Sequence, residues 1–174
     1  MVLRINYFII KFTENFIIGD IMIEEKIKEL GFELPEVTKP LAAYIPAKKI
    51  GNLVMTSGQV PLVKGEIKYK GKVGKELSEE EGQKAAQVCA LNCLSAIKGV
   101  IGNLDKVIEV VKLTVFVAST DSFTAQPKVA NGASELIGKI FGEAGKHARS
   151  AVGVTALPLD AAVEIEMIVS IKED

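Results

Sequence analysis

The sequence predicts an α+β domain with its helices on one face of a sheet, and three observations carry that prediction. Two stretches, near 78–101 and 129–141, place apolar residues at helical spacing. Several others are rich in β-branched residues and alternate, notably 107–119 and 162–171. Their order is two strands, helix, strand, helix, two strands, with no internal repeat or linker.

At 174 residues and 48% hydrophobic, the chain suits one well-buried core. A net charge of -1, from 21 basic and 22 acidic residues spread along the chain, gives no concentrated positive potential for a phosphate backbone. Nucleic acid is therefore not an expected partner. Cys89 and Cys93 sit four apart in an apolar helical pattern, too close for a secreted disulfide framework, and a reducing cytoplasm fits them. With one histidine, a thiolate and imidazole metal site lacks ligands.

Residues 1–21 are expected to be an extension outside the core, with 22–174 a single domain. Lys11 and Glu14 interrupt the apolar run, which argues against a bilayer span, and no small-residue cleavage site follows it. Either the segment is an amphipathic arm, or Met22 is the true start, since "IGDIM" can be encoded with a purine-rich AGGAGAT just upstream of the Met22 codon.

From Met22, "MIEEKIKELGF" reads as a short helix with Ile23, Ile27 and Leu30 on one side and a stop at Gly31. "LAAYIPAKKIGNLVMTSGQVPL" reads as two strands joined at "KKIGN", followed by a Gly/Lys-rich loop, "VKGEIKYKGKVGKEL". "SEEE" at 78–81 is a capping box that starts the long helix, and "GNLD" ends it. Cys89 and Cys93 are small packing residues on that helix. A strand at 107–119, a helix at 129–141, a strand at 150–155, a turn at "LPLD" and a strand at 162–171 complete the chain. Helices on one face leave an apolar face opposite, and self-association with closed cyclic symmetry is the simplest cover for it.

The strand period puts Val163, Ile165, Met167, Val169 and Ile171 on one face of the last strand and Glu164, Glu166, Ile168 and Ser170 on the other. Arg149 opens the strand before it. An antiparallel pairing through "LPLD" brings Arg149 and Glu164 into one cleft, where the guanidinium grips a substrate carboxylate with two parallel hydrogen bonds and the glutamate activates water. The alternative from spacing alone is a structural Arg–Glu ion pair at the sheet edge.

"NLVMTSGQVP", "VVKLTVFV" and above all "RSAVGVTALPLDAAVEIEMIV" resemble the RidA/YjgF family, also labelled L-PSP endoribonuclease-like, from about Tyr44 to the C-terminus. "NGASEL" and "FGEAGKHARSAVG" look like a longer subgroup. The resemblance implies a chorismate-mutase-like fold and a homotrimer with a barrel-like core and sites at the subunit interfaces. It also implies hydrolysis of reactive enamine/imine intermediates such as 2-aminoacrylate to 2-keto acids and ammonia, with no cofactor. A non-catalytic ligand-binding trimer and an endoribonuclease are the alternatives.

Carried over by position, Arg149 matches the family's carboxylate-binding arginine and Glu164 its water-activating glutamate. Tyr44 matches a substrate-lining tyrosine, and Ser57 and Gly58 the "TSGQ" loop. Ala151 stands where many members have cysteine. For the family's site asparagine, counting forward from "VFV" lands on Pro127, and counting back from Arg149 with a loop insertion lands near Asn131. His147 sits beside the implied site and is either a tuning group or a helix-exit residue. "GEIKYKGK" fails as a phosphate loop, because Val73 follows the lysine where Ser or Thr is needed.

Overall fold

The computed structural model describes residues 22–36 and 43–173. The expected extension at 1–21 lies outside them. A five-stranded mixed sheet runs in the order β1-β2-β7-β5-β6, formed by Ala47–Ile50, Leu53–Thr56, Val163–Ile171, Val107–Ala118 and Ala148–Val154. Two long helices, α2 (Glu79–Ile101) and α3 (Gln126–Phe141), cover one face. The short α1 (Ile23–Glu29) docks through Ile27, which is fully buried.

The predicted elements arise for the expected local reasons. Ser78 Oγ accepts from the Glu81 N–H at 3.2 Å, and Glu81 Oε2 accepts from the Ser78 N–H at 2.8 Å, so the capping box closes and α2 begins there. Its buried face carries Ala85, Cys89, Cys93, Ala96 and Ile97. Helix α3 starts one turn earlier than the apolar period suggests, because Pro127 is tolerated in a first turn. At Gly132 an added Cβ would overlap the Gln83 carbonyl, so glycine is what lets α3 lie against α2.

Two expectations are corrected. The segment read as a Gly/Lys-rich loop contains a small hairpin, β3 (Leu62–Val63) with β4 (Glu66–Ile67), turning through Lys64 and Gly65 at φ 50° and 87°. Two-residue strands leave no period to read. More consequentially, β6 does not pair with β7 through "LPLD". It runs parallel to β5, which separates it from β7, and the connection crosses the end of β5 through a 3-10 turn, Pro158–Asp160, with Leu159 and Asp160 at φ 58° and 61°.

Register then fixes the faces. Leu113, Val115 and Val117 on β5 pair with Met167, Ile165 and Val163 on β7, all fully buried under the helices. The opposite face carries Leu53 and Met55 on β2, Ile168 on β7, Phe116 on β5 and Val152 on β6, with Val152 45% exposed. Among the described residues, no helix covers this face.

Candidate active site

Around Glu164, the chain from Thr56 to Gln59 bulges out of the ladder. Met55 pairs with Ile168, and Gln59 next pairs with Ile165, so three residues on one side stand against two on the other. Thr56 Oγ1 fills the gap by accepting from the Met167 N–H at 3.0 Å. The bulge is further pinned by the Ser57 N–H donating to Pro46 O at 2.8 Å, Ser57 Oγ donating to Ile45 O at 2.7 Å, and Gln59 Nε2 donating to Ser57 O at 3.1 Å.

This bulge lays Gly58 directly on Glu164. A Cβ at Gly58 would overlap Glu164 Oε1, so the "TSGQ" glycine is a steric requirement of the carboxylate's position. Glu164 has no hydrogen-bond or ion-pair partner among the described residues. Partial burial, and secondarily the Glu166 charge, push its carboxyl above the usual carboxylate range. Tyr44 is 58% exposed next to Ile45, whose carbonyl holds Ser57. The structure thus brings Ser57, Gly58 and Glu164 together, with Tyr44 at their margin.

Arg149 lies elsewhere. It pairs with Leu113 on β5, on the helix-covered side, whereas Glu164 pairs with Phe116 on the open side. Two strand spacings and three residues separate them, which is ~10 Å across the sheet and ~10 Å along it, on opposite faces. The expectation that one chain holds both in a single cleft is therefore corrected. Its premise, the β6–β7 hairpin, does not form, and neither does an Arg149–Glu164 ion pair.

The guanidinium is instead held by α3. Arg149 Nη1 donates to Asn131 Oδ1 at 2.9 Å and to Ser134 Oγ at 3.0 Å. Of the two candidates for the site asparagine, Asn131 is the one beside the arginine, while Pro127 is exposed in the first turn of α3. His147 Nε2 lies 3.0 Å from Ser134 Oγ, and its Nδ1 lies 2.6 Å from Gly145 O. A cleft of about 460 Å³ lined by Ser134, Gly138, Gly145, Lys146, His147 and Arg149 opens beside this network.

Ser134 is the residue that the sequence reading missed. Its spacing of three from Asn131 puts both on one face of α3, but nothing in the sequence sets that face against Arg149 on β6. The cysteines lie outside both groups. Burial pushes the Cys93 thiol up to about 12 and the Cys89 thiol well above its usual value, as suits packing residues. Their Sγ atoms donate to the Ile165 and Val163 carbonyls at 3.3 and 3.4 Å, which fastens α2 to β7. Among the described residues, no group of three or more His, Cys, Asp or Glu is placed to hold a metal ion, and no helix is long and apolar enough to cross a membrane.

Comparison with known proteins shows what the chain as a whole is similar to. Residues 24–170 match the family described as "YjgF/chorismate_mutase-like, putative endoribonuclease". Protein TCP17 of Trypanosoma cruzi is 43% identical over 152 residues, covering 86% of this chain and 94% of that protein. A 2-iminobutanoate/2-iminopropanoate deaminase of Dermatophagoides farinae is 30% identical over 138 residues, covering 79% and 93%. The crystal structure of protein Atu1372 from Agrobacterium tumefaciens, described as of unknown function, superposes with a TM-score of 0.82 at 45% identity, covering 87% of this chain and 94% of that one.

Proposed function

The chain belongs to the YjgF/chorismate mutase-like family and has its α+β fold, and from that footing we propose that it is a hydrolytic deaminase of reactive enamine/imine intermediates of the 2-aminoacrylate type. The products are a 2-keto acid and ammonia. The observation that carries this reading is that one chain supplies a preorganised guanidinium and, on the other face of the sheet, a carboxylate whose pKa is raised and which has no partner among the described residues. The name of the Dermatophagoides relative supports the same chemistry.

In the proposed reaction Arg149 binds the carboxylate of the imino acid and orients its C=N carbon. Glu164 takes a proton from a water as the water's oxygen bonds to that carbon, giving a carbinolamine. That proton passes to the imine nitrogen; Glu164 then takes the carbinolamine's hydroxyl proton and delivers it to the amine nitrogen as the C–N bond breaks, so that the carbonyl forms and ammonia leaves carrying both protons of the water. Every step is proton transfer and addition or elimination, so no cofactor enters.

Because the two groups occupy opposite faces of one sheet, the proposed site lies between subunits. β6 is an edge strand and carries Arg149 at the margin of the sheet, while Glu164 stands on the apolar face opposite the helices. Packing the open faces of three copies around an axis forms the barrel-like core and sets the margin of one copy over the open face of the next. This homotrimer, working in the cytoplasm on small imino acids, is the assembly we propose.

The test is ammonia and keto-acid release from enzymatically generated 2-aminoacrylate. Wild type should accelerate release, and Arg149→Ala should lose at least roughly a hundredfold in kcat/KM while remaining assembled. Full activity in Arg149→Ala sinks the mechanism. Binding of 2-ketobutyrate through Arg149 with no imine turnover would make the protein a ligand-binding member instead.

A further inference from the structure

Beside Arg149 runs a chain of polar groups that the proposed reaction does not use: Gly145, His147 and Ser134. Valence fixes the direction of its hydrogen bonds. Gly145 O is a carbonyl and can only accept, so His147 Nδ1, 2.6 Å away, carries a proton. In the neutral ring Nε2 is then an acceptor, and Ser134 Oγ, 3.0 Å away, donates to it. With its proton committed to the imidazole, the Ser134 oxygen offers its lone pairs to Arg149 Nη1 at 3.0 Å. The second Nη1 proton goes to Asn131 Oδ1 at 2.9 Å.

Both Nη1 protons are thus spent on α3, while Nη2 and Nε have no partner among the described residues. Those two nitrogens form the side-on edge of the guanidinium, whose parallel N–H groups match a carboxylate. We propose that Ser134 and His147 are positioning residues that lock Arg149 with this edge free, selecting ligands that present a planar carboxylate to it. A long cationic side chain left loose loses rotamer freedom when it grips a ligand. One held in advance has already lost it. The inference rests on the reading of Arg149 as the carboxylate-binding group.

The chain contains one histidine, so its imidazole signals are read without assignment. Long-range proton–nitrogen correlation NMR on isotopically labelled full-length protein, above neutral pH, should show the Nδ1–H tautomer with Nε2 as acceptor. Ser134→Ala should shift the Nε2 resonance. Calorimetric titration with 2-ketobutyrate should show binding weakened roughly tenfold in Ser134→Ala and in His147→Ala, with Ser134→Thr, which keeps the hydroxyl, restoring most of it. An Nε2–H tautomer in the wild type overturns the proposal, even if a variant fails to fold. So does Ser134→Ala binding as tightly as wild type. If the wild type itself binds no 2-ketobutyrate, or Arg149→Ala binds it equally well, the reading of Arg149 fails and this inference with it.

Discussion

Arg149 sits in a lattice of side-chain hydrogen bonds from α3, whereas Glu164 is placed by a backbone bulge and is bonded by no described residue. The difference follows the work each group is proposed to do. A group that binds a carboxylate gains from being fixed before the ligand arrives, and neutral partners such as Asn131 and Ser134 fix it without cancelling its charge. A group that must take a proton from water gains from being left unsatisfied, because a carboxylate already accepting hydrogen bonds is a weaker base.

The sharpest way to break this comparison is to remove the base alone. Glu164→Gln keeps the shape and loses the proton acceptor, so kcat should fall by roughly 10²- to 10⁴-fold while 2-ketobutyrate affinity, which the proposal assigns to Arg149, should change little. Equal losses in binding and turnover would show that Glu164 also holds the ligand. In the wild type, kcat/KM should rise with pH through a limb lying above the ordinary carboxylate range, since the active form is the deprotonated one. Glu166→Gln removes the secondary cause of the shift, so the limb should move to lower pH but not all the way back, burial being the larger cause.

The opposed faces supply the next test. Arg149→Ala and Glu164→Gln, each expected to be strongly impaired alone, should regain activity when coexpressed as mixed oligomers. Random assembly predicts about a quarter of wild-type activity, because one neighbour pairing in four joins an intact Glu164 to an intact Arg149 of the next subunit. No recovery in verified mixed oligomers would mean that one protomer rearranges to bring both groups together.

Gly58 probes how tightly the bulge places the carboxylate. Gly58→Ala adds a Cβ where Glu164 Oε1 now lies, so the carboxylate must swing away, and a displacement of about 1 Å can cost roughly a hundredfold in turnover. The arginine half should be untouched, with 2-ketobutyrate binding retained. Unchanged turnover would show that the position of Glu164 on Gly58 is not the productive one.

What the sequence revealed of this arrangement follows from what a one-dimensional pattern can carry. The period of 163–171 assigned Glu164 and Glu166 to one face correctly, because period two is a property of the strand itself. The capping box at Ser78 was equally legible, being complete within four residues. Which strands are neighbours is not encoded in any single period. The turn residues of "LPLD" read as a hairpin, while the chain in fact crosses β5, and the error put Arg149 on the wrong side of the sheet relative to Glu164. Ser134 was illegible for a related reason. Its role exists only where α3, β6 and the turn at Gly145 meet, and a serine within a helix carries no signal of that meeting.

The smallest effect expected is on stability, and its sign opposes that on activity. A carboxyl whose pKa is raised on folding binds its proton more tightly in the native than in the unfolded chain. Below the unfolded-state value of about 4.3, both states are protonated and Glu164 costs nothing. As pH rises toward the raised native value, the unfolded chain ionises first and stability is lost, and above it the loss is complete. Glu164→Gln, expected to turn over poorly, should therefore resist denaturant slightly better than wild type at neutral pH, with the advantage vanishing in acid. Since the group is half exposed and screened by solvent, the gain should stay below about 1 kcal/mol. Matched urea titrations at acid and neutral pH measure it. A wild type that is the more stable at neutral pH would mean that Glu164 finds a partner in the assembled protein, and that the site between subunits satisfies the charge that the single chain leaves bare.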